Sequence, residues 1–170
     1  MKLGKIIGLV MLIGGIIMFV VYNQRNKQYL ELSDSGSSLK PIEMEMPAEA
    51  GTDYLVKFWF LDEETGYEWA SASADFSIYF NDQQIHTKKY SASSSDDSGG
   101  VKRAQDTDEI RYTPAVAGKL TFKGKLTQGD KWDVEVYKNM SDSEDMAPPA
   151  ALIVAVVGLV LVLKKKKQIV

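Results

Sequence analysis

The sequence predicts an all-β antiparallel sandwich held between two transmembrane α-helices, and three observations carry that expectation. Two charge-free apolar runs, Ile6 to Tyr22 and Met146 to Leu163, stand toward the two ends. The stretch between them alternates apolar and polar residues at the period of a strand and contains no helix-period segment. Charge is partitioned in the same way, with all 23 acidic residues between Glu31 and Asp145. Residues Asn23 to Met146 hold 14 basic and 23 acidic side chains, a net of −9, while the flanks carry +6. The whole-chain values of −3 net charge and 45% hydrophobic residues over 170 positions therefore average two unlike materials. An acidic folded segment repels phosphate, so nucleic acid is excluded as a partner. The chain has no cysteine, which removes disulfide scaffolds, thiolate metal sites and cysteine nucleophiles.

The first run is 17 residues long, and a helix of that length spans roughly 26 Å of the ~30 Å hydrocarbon core. Leu3 and the stem of Lys5 supply the missing turn, because a lysine near a helix end carries its ammonium out to the headgroups. The boundary Val20-Val21-Tyr22-Asn23 lacks the small residues of a signal-peptidase site, so the helix is expected to remain as an uncleaved anchor. The second run is 18 residues long, opens on Pro148 and Pro149, and is followed by Lys164, Lys165, Lys166 and Lys167. Proline is tolerated in a first helical turn, and the lysine bias places that end in the cytoplasm. Two spans put both termini there. The expected division is a cytoplasmic segment 1–5, a helix 6–22, an extracytoplasmic sandwich 23–145, a helix 146–163 and a cytoplasmic tail 164–170.

Each helix carries a stripe of small residues. At 100° per residue, Gly4, Gly8 and Gly15 fall within about 40° of one another, and Ala147, Ala151, Ala155 and Gly158 within about 80°. In lipid, where apolar burial gives no drive, small residues let backbones approach and pack. The expected partners are thus the lipid bilayer and a helix, either the other one in this chain or one from a membrane-protein partner or a second copy.

The middle segment alternates repeatedly. Trp132, Val134 and Val136 oppose Lys131, Asp133 and Glu135; Leu120, Phe122 and Leu126 oppose Thr121, Lys123 and Lys125; Phe76, Ile78 and Phe80 oppose Asp75, Ser77 and Tyr79. Tyr54 to Leu61 is apolar on both faces apart from Lys57, as in a central strand. Shorter strands are expected at Gln28 to Leu32, Gln84 to Tyr90, Val101 to Gln105 and Glu109 to Thr113. Turn residues punctuate them at Asp62 to Gly66, Asn81-Asp82, Pro114 to Gly118 and Gln128 to Asp130. Ser33 to Ser38 and Ser91 to Gly100 read as linkers. The span from Tyr112 through Pro114 and Gly118 to Phe122 resembles the strand-turn-strand corner of immunoglobulin-like and GOLD-type sandwich domains, which implies a sandwich of that layout. The cysteine and tryptophan pattern of a true immunoglobulin domain is missing.

Residues able to carry chemistry are few. His86 is the only histidine, in an edge-strand context beside Lys88 and Lys89, and cannot build a two-histidine metal site. Asp96, Asp97, Asp106, Asp108 and Glu109 lack the spacing of a calcium loop. Met44 and Met46 alternate with Glu43 and Glu45 in an extended segment; paired thioethers suit Cu(I), and two methionines facing a core explain the same pattern. Trp69 and Tyr67, after the acids Asp62 to Glu64, are candidates for binding a glycan or small molecule. Trp132 reads as core, and Trp59 fits either side of a sheet. Asn139-Met140-Ser141 is a glycosylation acceptor pattern close to the second helix. No cofactor is expected. The combined expectation is a non-enzymatic interaction module or accessory subunit of a membrane complex, with ligand binding by the ectodomain as the alternative.

Overall fold

Period-two alternation runs through eight strands: β1 (Leu30–Ser37), β2 (Ile42–Ala48), β3 (Tyr54–Thr65), β4 (Trp69–Phe80), β5 (Gln83–Ser95), β6 (Val101–Tyr112), β7 (Gly118–Gln128) and β8 (Lys131–Lys138). They belong to a computed structural model that describes residues 3–65, 69–95 and 101–163. The chain divides into a sandwich unit, Leu30–Asn139, and a helical unit formed by the segments before and after it. Helix α1 spans Leu3–Asn26, a 3₁₀ turn follows at Lys27–Tyr29, and helix α2 spans Asp142–Leu163.

The strands form two antiparallel four-stranded sheets, ordered β1-β8-β3-β6 and β2-β7-β4-β5. Every connection crosses between the sheets except β4 to β5. This is the order of an eight-stranded jelly roll and not that of an immunoglobulin domain, so the corner at Tyr112 to Phe122 is present within a different topology. Because successive strands reverse, the chain enters and leaves at one end, where Leu30 pairs with Tyr137. We call this end proximal. The connections after β1, β3, β5 and β7 lie at the opposite, distal end.

The core fills between the sheets with inward residues from both. Phe58 stacks on Phe76 with centroids 4.6 Å apart and meets the Tyr90 ring edge-on at 5.3 Å. Phe60, Phe122, Leu120, Ile78 and Val134 complete the centre. Trp132 is buried, and its indole N–H donates to the carbonyls of Ser37 and Lys40 at 3.2 and 3.0 Å. An indole in a core needs such an acceptor. Its ring lies against Gly36, where an added Cβ would come within 2.8 Å of it.

Several elements differ from expectation for physical reasons. Of the expected linker Ser33 to Ser38, Ser33 to Ser37 is part of β1, because β8 supplies its hydrogen-bond partners. Ile42 to Ala48 is a full strand in which Ile42, Met44, Met46 and Ala48 all point inward. β6 is one strand of 12 residues where two were expected; Asp106 and Asp108 interrupt its apolar period because it is an edge strand. Ser91 to Ser95 continues β5, and 96–100 lie outside the described residues. α2 starts before Met146, so Pro148 and Pro149 sit inside the helix and not in its first turn.

Two local features fix the register. Asn81 and Asp82 have φ of 48° and 65°, the left-handed pair of a two-residue hairpin between β4 and β5. The Asn81 side chain then accepts from the Lys119 N–H at 2.9 Å, tying the turn to β7. At Gly124 the strands β4 and β7 approach so closely that a Cβ would overlap the carbonyl oxygen of Asp75. Gly124→Ala is therefore expected to destabilise the protein by about 1–3 kcal/mol, seen as a lowered unfolding temperature in detergent. Gly14→Ala, where no atom lies within 4 Å, serves as the neutral or slightly stabilising control.

Candidate functional site

The helical unit is built on small residues. α1 and α2 pack antiparallel, with Gly8 against Gly158, Leu161 and Val162, and Gly15 against Ala151 and Ala155. A Cβ on Gly8 would lie 2.8 Å from the Leu161 Cβ, one on Gly15 would lie 2.8 Å from the Ala155 Cα, and one on Gly158 would overlap the Leu12 backbone. The seam therefore needs these glycines, as two backbones in van der Waals contact do. Ala151 and Ala155 are buried in it and Ala147 is half-buried at its edge. Gly4 does not join: it is exposed with nothing within 4 Å, because the seam follows positions 8, 12 and 15.

The outward faces of both helices are apolar, from Val10 at 66% exposure to Ile153 at 65%. Among the described residues, Gly4–Tyr29 is the one helix long and apolar enough to cross a membrane, with mean hydropathy 2.4; the apolar part of α2, Ala147–Leu163, is shorter. Lys164, Lys165, Lys166 and Lys167 lie outside the described residues, as does Tyr67.

On the sandwich, Met44 and Met46 belong to the core, at 6% and 9% exposure. The Cu(I) reading thereby loses the exposed segment on which it stood, since alternation turns both thioethers inward. Among the described residues no group of three His, Cys, Asp or Glu side chains could hold a metal. Asp62 is also turned inward and accepts from the Ser71 N–H at 3.1 Å, so it does not accompany Trp69 on the surface. Trp69 stands 60% exposed on the outer face of β4. A shallow cavity of about 350 Å³ over Glu45, Met46, Pro47, Gly118 and Lys119 holds only one ion pair, Lys119 to Glu45 at 2.9 Å.

A polar cluster that the sequence left scattered gathers where the edge strands β5 and β6 meet. The Tyr90 hydroxyl donates to Asp108 at 2.7 Å, Lys88 donates to the same oxygen at 2.9 Å, and His86 Nε2 lies 3.3 Å from the Tyr90 hydroxyl. Burial, and then the Asp108 carboxylate, push the Tyr90 phenol well above its ordinary range. Burial alone would raise Asp108, yet the hydrogen bonds from Tyr90 and Lys88 and the Lys88 charge hold it below the usual carboxylate range. The cluster joins the two sheets at their open edge. Register could have found it, since residues 86, 88 and 90 share one side of β5 and 106 and 108 one side of β6, but only once the partners were known. Lys102, buried at 3% exposure opposite Glu64, was equally hidden in the sequence.

On the outer face of the other sheet, Trp59 is half-buried between Thr107 and Asp133 in register. Partial burial raises the Asp133 carboxyl, and the neighbouring Glu135 and Asp34 raise it further. The two acids act oppositely on stability. Asp108 is lowered in the fold, so its contribution is complete above the unfolded carboxylate range and is lost as pH falls through the folded value. Asp133 is raised, so its charge destabilises the fold at neutral pH and protonation removes that penalty. Asp108→Asn is expected to lower the unfolding temperature at neutral pH. Asp133→Asn is expected to raise it, with the gap to wild type closing toward about pH 4; unfolding curves across pH read both.

No family model and no curated protein matches the chain. Among solved structures, it is similar to part of dimeric latent PorU from Porphyromonas gingivalis, at 12% identity over 62% of this chain and 10% of that one, with a TM-score of 0.32. It is also similar to part of the CBM22-1-GH10 modules of an endo-1,4-beta-D-xylanase from Clostridium thermocellum, at 12% identity over 55% of this chain and 18% of that one, with a TM-score of 0.25. The chain thus spans a small fraction of either protein's length.

Proposed function

We propose that the chain is a non-enzymatic, two-span membrane protein that holds an acidic jelly-roll domain outside the cytoplasmic membrane, with both termini in the cytoplasm, as an interaction module or accessory subunit of a membrane complex. The observation that supports this most is the outer surface of the helix pair. Ten large apolar side chains on α1 and eight on α2 are exposed, against four in the sandwich among the described residues. Each such side chain left in water forgoes about 1.5–3 kcal/mol, whereas lipid accepts all of them. A glycine seam beneath an all-apolar exterior suits a bilayer, where close backbone contact is the available packing force. The sandwich supports the reading independently, because its chain ends leave from one end, as a domain held by two antiparallel spans requires.

The absence of native cysteine makes topology directly measurable. A membrane-impermeant maleimide is expected to label Ser91→Cys in intact cells and Lys167→Cys only after permeabilisation. The reverse pattern, or extraction of the protein by alkaline carbonate, would overturn the two-span reading. Purification from gently solubilised membranes is expected to bring down a stoichiometric membrane partner or a homo-oligomer, and an isolated monomer would end the accessory-subunit reading. Gly15→Leu, which forces the seam apart, is expected to reduce that recovery.

A further inference from the structure

We propose that the outer face of the β2-β7-β4-β5 sheet binds a neutral polysaccharide built of pyranose rings. β4 reads Trp69-Ala-Ser-Ala-Ser-Ala-Asp75, and Ala70, Ala72 and Ala74 face inward at 1% exposure, so Trp69, Ser71, Ser73 and Asp75 face out. Across β5, Ser71 stands opposite Ser93 and Ser73 opposite Ser91. On the other side the Ser73 hydroxyl meets that of Thr127 at 2.7 Å. Three adjacent strands therefore form a floor about 10 Å wide, lined by Ser71, Ser73, Ser91, Ser93 and Thr127, with the exposed Gln128 in register with Ser73 as its longest side chain.

The floor has raised borders. At its distal end stands the Trp69 indole, and toward the proximal end Lys89, Asp75 and Lys125 form one row across the sheet. From Trp69 to Asp75 is about 20 Å along the strand, a length that takes several sugar rings. An exposed indole stacks on the C–H face of a pyranose. Paired hydroxyls and an alternating Lys-Asp-Lys row offer donors and acceptors together, as vicinal sugar hydroxyls require. A central strand of alternating Ala and Ser also forgoes the β-branched residues that favour strands, and in exchange the floor stays low.

Other occupants fit less well. A polyanion meets a segment of net charge −9, in which this row supplies a surplus of a single positive charge. A protein interface needs an apolar centre, and among the described residues this face has one large exposed apolar side chain, at its margin.

The test uses the full-length protein in a detergent without sugar headgroups, titrated with cellohexaose, chitohexaose and maltohexaose by calorimetry. At least one is expected to bind; Trp69→Ala is expected to weaken that binding by roughly tenfold or more, and Ser73→Arg, which fills the floor, to abolish it, both with unfolding temperatures near wild type. Trp69→Phe, which keeps a ring, is expected to fall between wild type and Trp69→Ala. Failure of all three sugars to bind, binding that survives Trp69→Ala and Ser73→Arg, or binding of heparin in their place would overturn the proposal. Maleimide labelling judges the membrane topology separately, so the two readings can fail independently.

Discussion

The pairing of β8 between β1 and β3 is the constraint on which the rest of the molecule depends. It supplies the hydrogen bonds that make the serine-rich β1 a strand, seats Trp132 between the sheets, and places Leu30 beside Tyr137. Without it the sheet would lack its second strand, and the chain would not leave the sandwich where it entered. This closure is as non-local as the chain allows, since β1 and β8 bracket the whole domain. Long-range pairing is entropically costly before it is rewarded. The sheet can therefore be completed only when nearly the full chain is available, and α2 follows directly on the strand that completes it.

How much of this was legible in the sequence depends on whether the signal was local. The inward residues of β4, β7 and β8 could be read because each of these strands carries its own alternation, whereas β3 is apolar on both faces and hides which one is inward. The small-residue stripes were legible because helical periodicity is equally local, whereas the spacing cannot say where a contact begins. β1 could not be read, because Ser33 to Ser37 has no apolar side chain and is a strand through its partner. β6 was divided at Asp106 and Asp108 because an acid facing inward makes sense only beside Tyr90 and Lys88, about 18 to 20 residues away in sequence. Sheet order was hidden for the same reason: alternation gives the face of a residue, not the neighbour of its strand.

The charge of the sandwich is arranged so that it costs little stability. Among the described residues several of its ion pairs are exposed, such as Arg103 to Glu63 and Lys119 to Glu45, and pairs of this kind contribute about 0–1 kcal/mol. They serve to disperse acidic charge more than to hold the fold. Less exposed are Lys57 in its pair with Glu109 and the Tyr90–Asp108–Lys88 cluster, where a phenol anchored among Phe58 and Phe60 fixes the carboxylate at the sheet edge. An edge that would otherwise let the sheets part is closed by a charged hydrogen bond with an aromatic base.

Both ends of the sandwich are fastened by hydrogen bonds, the distal one through Asp130, which accepts the Glu63 N–H and donates its own N–H to Leu61, and through the Trp132 indole. At the proximal end the connections are tied down: Asp53 receives Arg111 at 2.6 Å, its N–H donates to Asn139 at 3.2 Å, and the Tyr54 hydroxyl accepts the Glu49 N–H at 2.9 Å. The Asn139 side-chain oxygen is thus part of this clamp. The distal end and the sheet margin beside it expose Leu39, Trp69 and Val101, three of the four large apolar residues that the sandwich leaves in solvent among the described residues. The hydroxyl floor of β4 and β5 begins at that distal margin, beside Trp69, and so any molecule stacking on the indole meets the floor next.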